Sequence, residues 1–137
     1  MKSNRSIPPQ TVIPVLDYPD AAVAAAWLEA AFGFRVRLRI GEHHRVQLWA
    51  GDASVIVTDH GQGAPAGASV LLRVDDAQAV HDRAVAAGAT VRDPLTDHVY
   101  GERQCSLIDP GGHRWTLTQT LDDVDPAEWG GELVSEA

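Results

Sequence analysis

Residues 11–34, TVIPVLDYPDAAVAAAWLEAAFGF, and residues 68–89, ASVLLRVDDAQAVHDRAVAAGA, repeat one plan. Each opens on a short apolar strand, passes an acidic residue, runs through an alanine-rich helix and stops at a glycine. A repeat constrains the fold more than any local propensity, because each copy needs a neighbour to bury its apolar face. Asp20 and Asp75 stand where N-caps accept bonds from free backbone N–H groups. Gly33 and Gly88 stand where a helix needs a left-handed residue just past its end. Val23, Trp27 and Ala30–Ala31 recur at helical spacing in the first copy, as do Ala77, Val80, Ala84 and Ala87 in the second. These stripes are expected to pack on a sheet.

Three strand-like segments follow each helix: 34–41, 44–50 and 53–59 in the first copy, then 90–95, 102–108 and 113–119 in the second. Val36, Leu38 and Ile40 alternate with Arg35, Arg37 and Arg39, the pattern of a half-buried strand. Ala50-Gly51-Asp52 and Asp109-Pro110-Gly111-Gly112 read as turns, and the Gly/Pro-rich HGQGAPAGA (60–68) as a linker. The expected class is α+β: two βαβββ modules in tandem forming a curved mixed sheet of half-barrels, with a helix on each convex face. The boundaries are one domain over 1–137, with module one at 10–60, linker at 60–67, module two at 68–120 and an acidic tail at 121–137. In the tail, Asp125 caps a short helical turn with Pro126 at its first position.

The totals narrow the function. A chain of 137 residues is the size of one ordinary domain. Its net charge of −8 would repel a phosphate backbone, so no nucleic-acid partner is expected. The same field favours cationic over anionic ligands at long range. No apolar run approaches the roughly 20 residues of a membrane span, and no membrane partner is expected. MKSNRSIPPQ has no apolar core of a secretory signal and reads as a loose arm. Cys105 is the only cysteine, which rules out an internal disulfide or a thiolate cluster and suits a reducing cytoplasm. There is no P-loop, dinucleotide fingerprint or Ser-His-Asp order.

The paired modules, Gly33-Phe34 after the first helix, Gly88-Ala89 after the second, and DPGGHRW at 109–115 together resemble the vicinal oxygen chelate superfamily. That group includes glyoxalase I, bleomycin- and fosfomycin-resistance proteins and extradiol dioxygenases. The resemblance covers about residues 10–120. YGER (100–103) and DPGGHRW look most like its uncharacterised, glyoxalase-like branch near the PhnB-type proteins. In metal-using members, the resemblance implies, His, Glu or Gln ligands lie on the concave face, in the first and last strands of each module. Strand phase carries these positions to Ile13, Val55, Ser69 and Thr116. Two hydrocarbons and two neutral hydroxyls do not replace the water around a dication. No cofactor is therefore expected, and a divalent metal only if its ligands are displaced to His98, Glu102 and His43 or His44.

Strand phase turns Ser69, Leu71 and Arg73 toward the pocket, and Val70, Leu72 and Val74 toward the helix. The expected ligand-binding set is Trp49, Val55, Ser69, Leu71, Arg73, Tyr100, Arg103 and Thr116. Trp49 offers a ring for stacking and Arg103 a planar fork of donors. Glu102 is a candidate base, if burial raises its pKa, with Asp17 the other carboxylate open to that role in a metal-free enzyme; no further catalytic residue is assigned. Asp17 and Arg73 are expected to pair. Trp27 and Trp115 read as core, Trp129 as closing the pocket or a dimer contact, Cys105 as inert, His113 as structural, and His60 and His81 as surface. The leading reading is a metal-free, small-molecule-binding protein of the glyoxalase/bleomycin-resistance type, a homodimer through exposed strand edges, serving sequestration or resistance. The alternative is a metal-dependent lyase, isomerase or dioxygenase with displaced ligands.

Overall fold

The structure, a computed structural model, describes residues 2–41 and 44–135. The first module comprises β1 (Val15–Asp17), α1 (Ala21–Phe32), β2 (Arg35–Ile40), β3 (Arg45–Ala50) and β4 (Ala53–Thr58). The second comprises β5 (Val70–Arg73), α2 (Ala77–Ala86), β6 (Thr90–Asp97), β7 (Glu102–Ile108) and β8 (Arg114–Thr120). A short 3-10 turn, Pro126–Trp129, follows, capped by Asp125. Each module forms a four-stranded sheet, ordered β1-β4-β3-β2 and β5-β8-β7-β6. The first strand of each runs parallel to the last, and the other pairs are antiparallel. This is the expected α+β tandem.

The duplication extends to residue register. Val15 pairs with Ile56 as Leu71 pairs with Thr116, and Asp17 with Thr58 as Arg73 with Thr118. Both second strands also carry a bulge at the same place, between Val36 and Leu38 and between Val91 and Asp93. An extra residue in one strand re-aims everything after it. The expected alternation in β2 therefore fails halfway. Val36 lies opposite buried Leu48, but Leu38 lies opposite Gln47 and Ile40 opposite Arg45, on the other face.

Asp20 caps α1 by accepting from Val23 N at 3.1 Å, and Gly33 ends the helix at φ 73°. The cap of α2 is Asp76, which accepts from Ala79 N at 3.0 Å, and not Asp75. An N-cap is the last extended residue before the helix and reaches the amide three residues on; Asp76, at φ −140° and directly before Ala77, holds that place. The buried stripe of α1 is Ala21, Ala24, Ala25, Leu28 and Ala31, rotated from the expected one; Val23 is 65% exposed. In α2, Ala77 and Ala84 are buried as expected, with Val80 and Ala87 packed beside them.

The two helices pack on each other, and the modules share their cores. Trp115, fully buried, sits among module-one side chains, edge-on to Phe32 and Phe34. Trp27 is half-buried between the helices and donates its Nε1 to Ala87 O at 2.7 Å. Arg83 of α2 donates to Ala30 O at the end of α1, and to Glu29 O, which also accepts from Gly33 N.

The DPGGHRW turn closes the join. Asp109, 4% exposed, accepts from Gly111 N and His113 N through Oδ1, and from Trp115 Nε1 and Tyr18 Oη through Oδ2. Desolvation and the adjacent carboxylate push the Tyr18 phenol far above its ordinary range, so it stays a donor. His113 donates Nε2–H to Asp17 O, which has no proton to give, and its ring leans on Tyr18. The imidazole is structural, as the sequence suggested. No helix among the described residues is long and apolar enough to cross a membrane.

Candidate functional site

In an antiparallel sheet, directly opposite residues share a face. Leu48 and Val55 pair on the helix side, while Gln47 and Ile56 pair on the concave side. Val55, 3% exposed, is thus core and lines no ligand site. By internal symmetry it corresponds to Trp115, and the counterpart of Thr116 is Ile56. The four family positions are therefore Ile13, Ile56, Ser69 and Thr116. Replacing one hydrocarbon by another leaves the donor chemistry as poor as before.

The concave face of module two is a continuous polar network. Tyr100 Oη donates to Gln104 Oε1 at 2.9 Å, Gln104 Nε2 to Thr118 Oγ1 at 3.0 Å, and Thr118 Oγ1 to Glu102 Oε1 at 2.6 Å. Ser106 and Thr116 hydroxyls bond each other at 2.9 Å. Arg73 lies on this face, 3.7 Å from Glu102, and donates to Thr120 Oγ1. The Thr118 hydroxyl, above all, holds the Glu102 carboxyl below its ordinary range, against desolvation, with Thr120 and Arg73 adding to it. The expectation of a base activated by burial is thus reversed. His98 stacks on Tyr100 with ring centres 5.0 Å apart, and Trp129 leans on Tyr100 at 5.4 Å.

Arg103 alternates with Glu102 and Gln104, so it shares the helix side with Cys105 and Leu107. It makes a two-pronged pair with Asp97 at 2.7 and 3.1 Å, on the face opposite the polar network. Asp17 does not pair with Arg73. Its carboxylate accepts from His60 N, Gln62 N, Gly63 N and Thr58 Oγ1, folding the start of the linker around itself. The His60 amide, chiefly, holds it far below the usual carboxylate range, with the other three donors in support. Cys105 is buried, which pushes its thiol up, in keeping with an inert side chain.

Between the free edges of β1 and β5 lies a cleft of about 730 Å³, roofed by the linker. Ser69 and Leu71 of the expected set line it, with Val15, Leu16 and Val70. Leu71 and Val15 are 61% and 53% exposed, an apolar surface offered to solvent. Among its polar groups, Asp17 and His113 are committed to the bonds above. Arg114, on the same face of β8 as Thr116, is not: its buried Nε has no partner, and no carboxylate lies within ion-pair reach among the described residues. Sequence reading missed Arg114, although its spacing of two from Thr116 put it on that face. Trp49 and Arg73 do not line this cleft.

Trp49 lies on the concave face of module one, paired with Ser54, and the Arg37 guanidinium stands 5.3 Å over its ring. A second, smaller group of residues near β6, including Asp93, His98, Ser106 and Thr116, encloses about 440 Å³. Among the described residues no three of His, Cys, Asp and Glu come together as a metal would need. His44 is exposed and bonds Asp59, and His43 lies outside the described residues. Tested against the donor chemistry, then, neither the family positions nor the described alternatives fit a divalent ion.

A family model described as Glyoxalase/Bleomycin resistance protein/Dioxygenase superfamily matches residues 11–117. Among solved structures, TioX from Micromonospora sp. ML1 is 32% identical, with 82% of this chain and 99% of that one covered and a TM-score of 0.69. The bleomycin-binding protein from bleomycin-producing Streptomyces verticillus, complexed with copper(II)-bleomycin, is 18% identical over 82% of this chain and 98% of that one, with a TM-score of 0.60. That likeness is one of fold. An uncharacterized protein of Mycobacterium bovis is 37% identical over 68 residues, 50% of this chain and 45% of that one. The matched stretch thus spans less than half the length of that relative.

Proposed function

The chain belongs to the glyoxalase/bleomycin resistance protein/dioxygenase superfamily, and from that premise we propose that it binds a small organic molecule without a metal and acts by sequestering it. The observation that carries this reading is the 730 Å³ cleft with Arg114 in its wall. Its volume lies in the range of ligand pockets, and its lining is apolar with few polar groups, as such pockets are. Arg114 is the polar group left without a counter-charge, and a partly buried guanidinium gains most from a bound carboxylate or sulfonate. We therefore propose a ligand with an apolar body and one anionic group.

This reverses the preference that net charge alone suggests. Fields of exposed charges are screened over about 8 Å at physiological salt, so contact inside the cleft outweighs them. Sequestration is carried over from the drug-bound fold neighbour as part of the proposal. A cytoplasmic setting belongs to the same proposal, for the reason given by the lone buried cysteine.

The test uses 8-anilinonaphthalene-1-sulfonate, an apolar dye with one anionic group. It should bind saturably, and a chelator should leave binding unchanged. Arg114→Met should weaken it roughly tenfold, the worth of one charge-assisted bond. Neutral N-phenyl-1-naphthylamine should bind wild type and Arg114→Met alike. Unsaturable dye binding, or equal affinity of both proteins for the sulfonate, would defeat the proposal.

A further inference from the structure

We propose that the concave face of module one is a second binding site, one that reads successive carbonyls of a peptide-like segment, and that residues 5–10 occupy it as an internal strap. The face is distinct from the cleft, since Arg37, Gln47, Trp49 and Ser54 do not line the latter. Arg37 Nη2 donates to Arg5 O and Gln47 Nε2 donates to Ser6 O, each at 3.0 Å. These two donors are aligned by a third bond, Arg37 Nη1 to Gln47 Oε1 at 2.6 Å. The alignment depends on the bulge in β2, which holds Arg37 as its extra residue. Pro8 is buried, and Gln10 Nε2 donates to Asp52 O at 3.0 Å, fixing the far end of the strap.

Two features distinguish this face from an ordinary covered sheet. Gln47 and Ser54 are 2% and 0% exposed, yet Ser54 Oγ has no partner among the described residues. A buried hydroxyl without a partner is costly, and a strap serving only as cover would leave apolar residues beneath it. The counterpart face of module two, moreover, satisfies itself, with Ser106 bonded to Thr116 where module one has Gln47 and Ile56. Module one instead directs its donors outward, onto backbone carbonyls, beside the Trp49 ring.

The strap is held lightly. Residues 2–7 and Pro9 are exposed, so the hold is a few side-chain-to-backbone bonds and one buried proline. Each such bond is modest in net terms, which makes the strap displaceable. Arg5 and Ser6 lie in a turn, with Ser6 N donating to Asn4 Oδ1 at 3.0 Å, and Pro8-Pro9 stiffen the chain beyond it, lowering the entropy lost when it docks.

The competitor acetyl-Ser-Ile-Pro-Pro-Gln, labelled with fluorescein at its C-terminus, supplies the carbonyls equivalent to those of Arg5 and Ser6. Fluorescence anisotropy should show about tenfold tighter binding to full-length Pro8→Gly than to wild type, because the tethered strap competes at millimolar effective concentration. Adding Arg37→Ala to Pro8→Gly should abolish binding. Equal binding to wild type and Pro8→Gly, or binding to neither, would overturn the proposal. Anilinonaphthalene sulfonate binding should be the same in wild type and Pro8→Gly, so failure here is distinguishable from failure of the cleft assignment.

Discussion

Asp109 joins the turn before β8 to Trp115 and to Tyr18 of the other module through four hydrogen bonds. Asp109→Ala leaves buried donors without partners and should cost about 3 kcal/mol by denaturant unfolding. Gly111→Ala should also destabilise, since a Cβ there would overlap the Tyr18 ring. Asp17 gives a pH signature. Its folded pKa is depressed, so the bonds it makes stabilise the fold fully above its ordinary value of 3.8 and are lost as pH falls below it. The difference in Tm between wild type and Asp17→Asn should be largest near neutrality and shrink below pH 4; a constant difference would remove Asp17 from this role. At this scale the sequence was legible where simple alternation held. Leu71, Arg73 and Thr116 share one face of the sheet because β5 and β8 carry no bulge, although only Leu71 of the three lines the cleft. Val55 was placed on the wrong face by phase, an error that pairing with Leu48 exposes. Arg103 failed because Gly101 ends a loop whose exit direction sets which side the strand begins on.

The elements themselves were legible in type and order, because glycine stops, acidic caps and turn residues punctuate both copies. Their finer registry was not. Asp75 was read as the cap of α2, but its neighbour Asp76 makes the bond, and the backbone path decides between adjacent aspartates. Asp76→Ala should cost about 1 kcal/mol, while Asp75→Ala should stay within a few tenths. The reverse order in thermal unfolding would show that the helix starts one residue earlier. The bulge in β2 was hidden for the same reason. An extra residue leaves Val36, Leu38 and Ile40 in apparent alternation while moving the latter two across the sheet. The N-terminal arm was read as loose, since nothing in SIPPQ announces the Arg37 and Gln47 donors that receive it.

For the whole molecule, the repeat made the tandem α+β architecture readable, but not how the modules meet. That depends on Trp115 and Trp27, which read as local core, and on Arg83, which no motif singled out, crossing between them. The cleft is a product of that meeting, which is why Arg114 escaped notice. Outer strands β2 and β6 each leave an unpaired edge, and a homodimer is the proposed way of covering such edges. Light scattering at micromolar concentration should return twice the 14.7 kDa chain mass, and a monomer mass would contradict this. We propose that Ile13, Ile56, Ser69 and Thr116 hold no metal. The most direct test is metal content per chain, measured on untagged protein purified without chelator. Less than about a tenth of an equivalent of any transition metal is expected, because no imidazole or carboxylate occupies those positions. A content near one equivalent would contradict it.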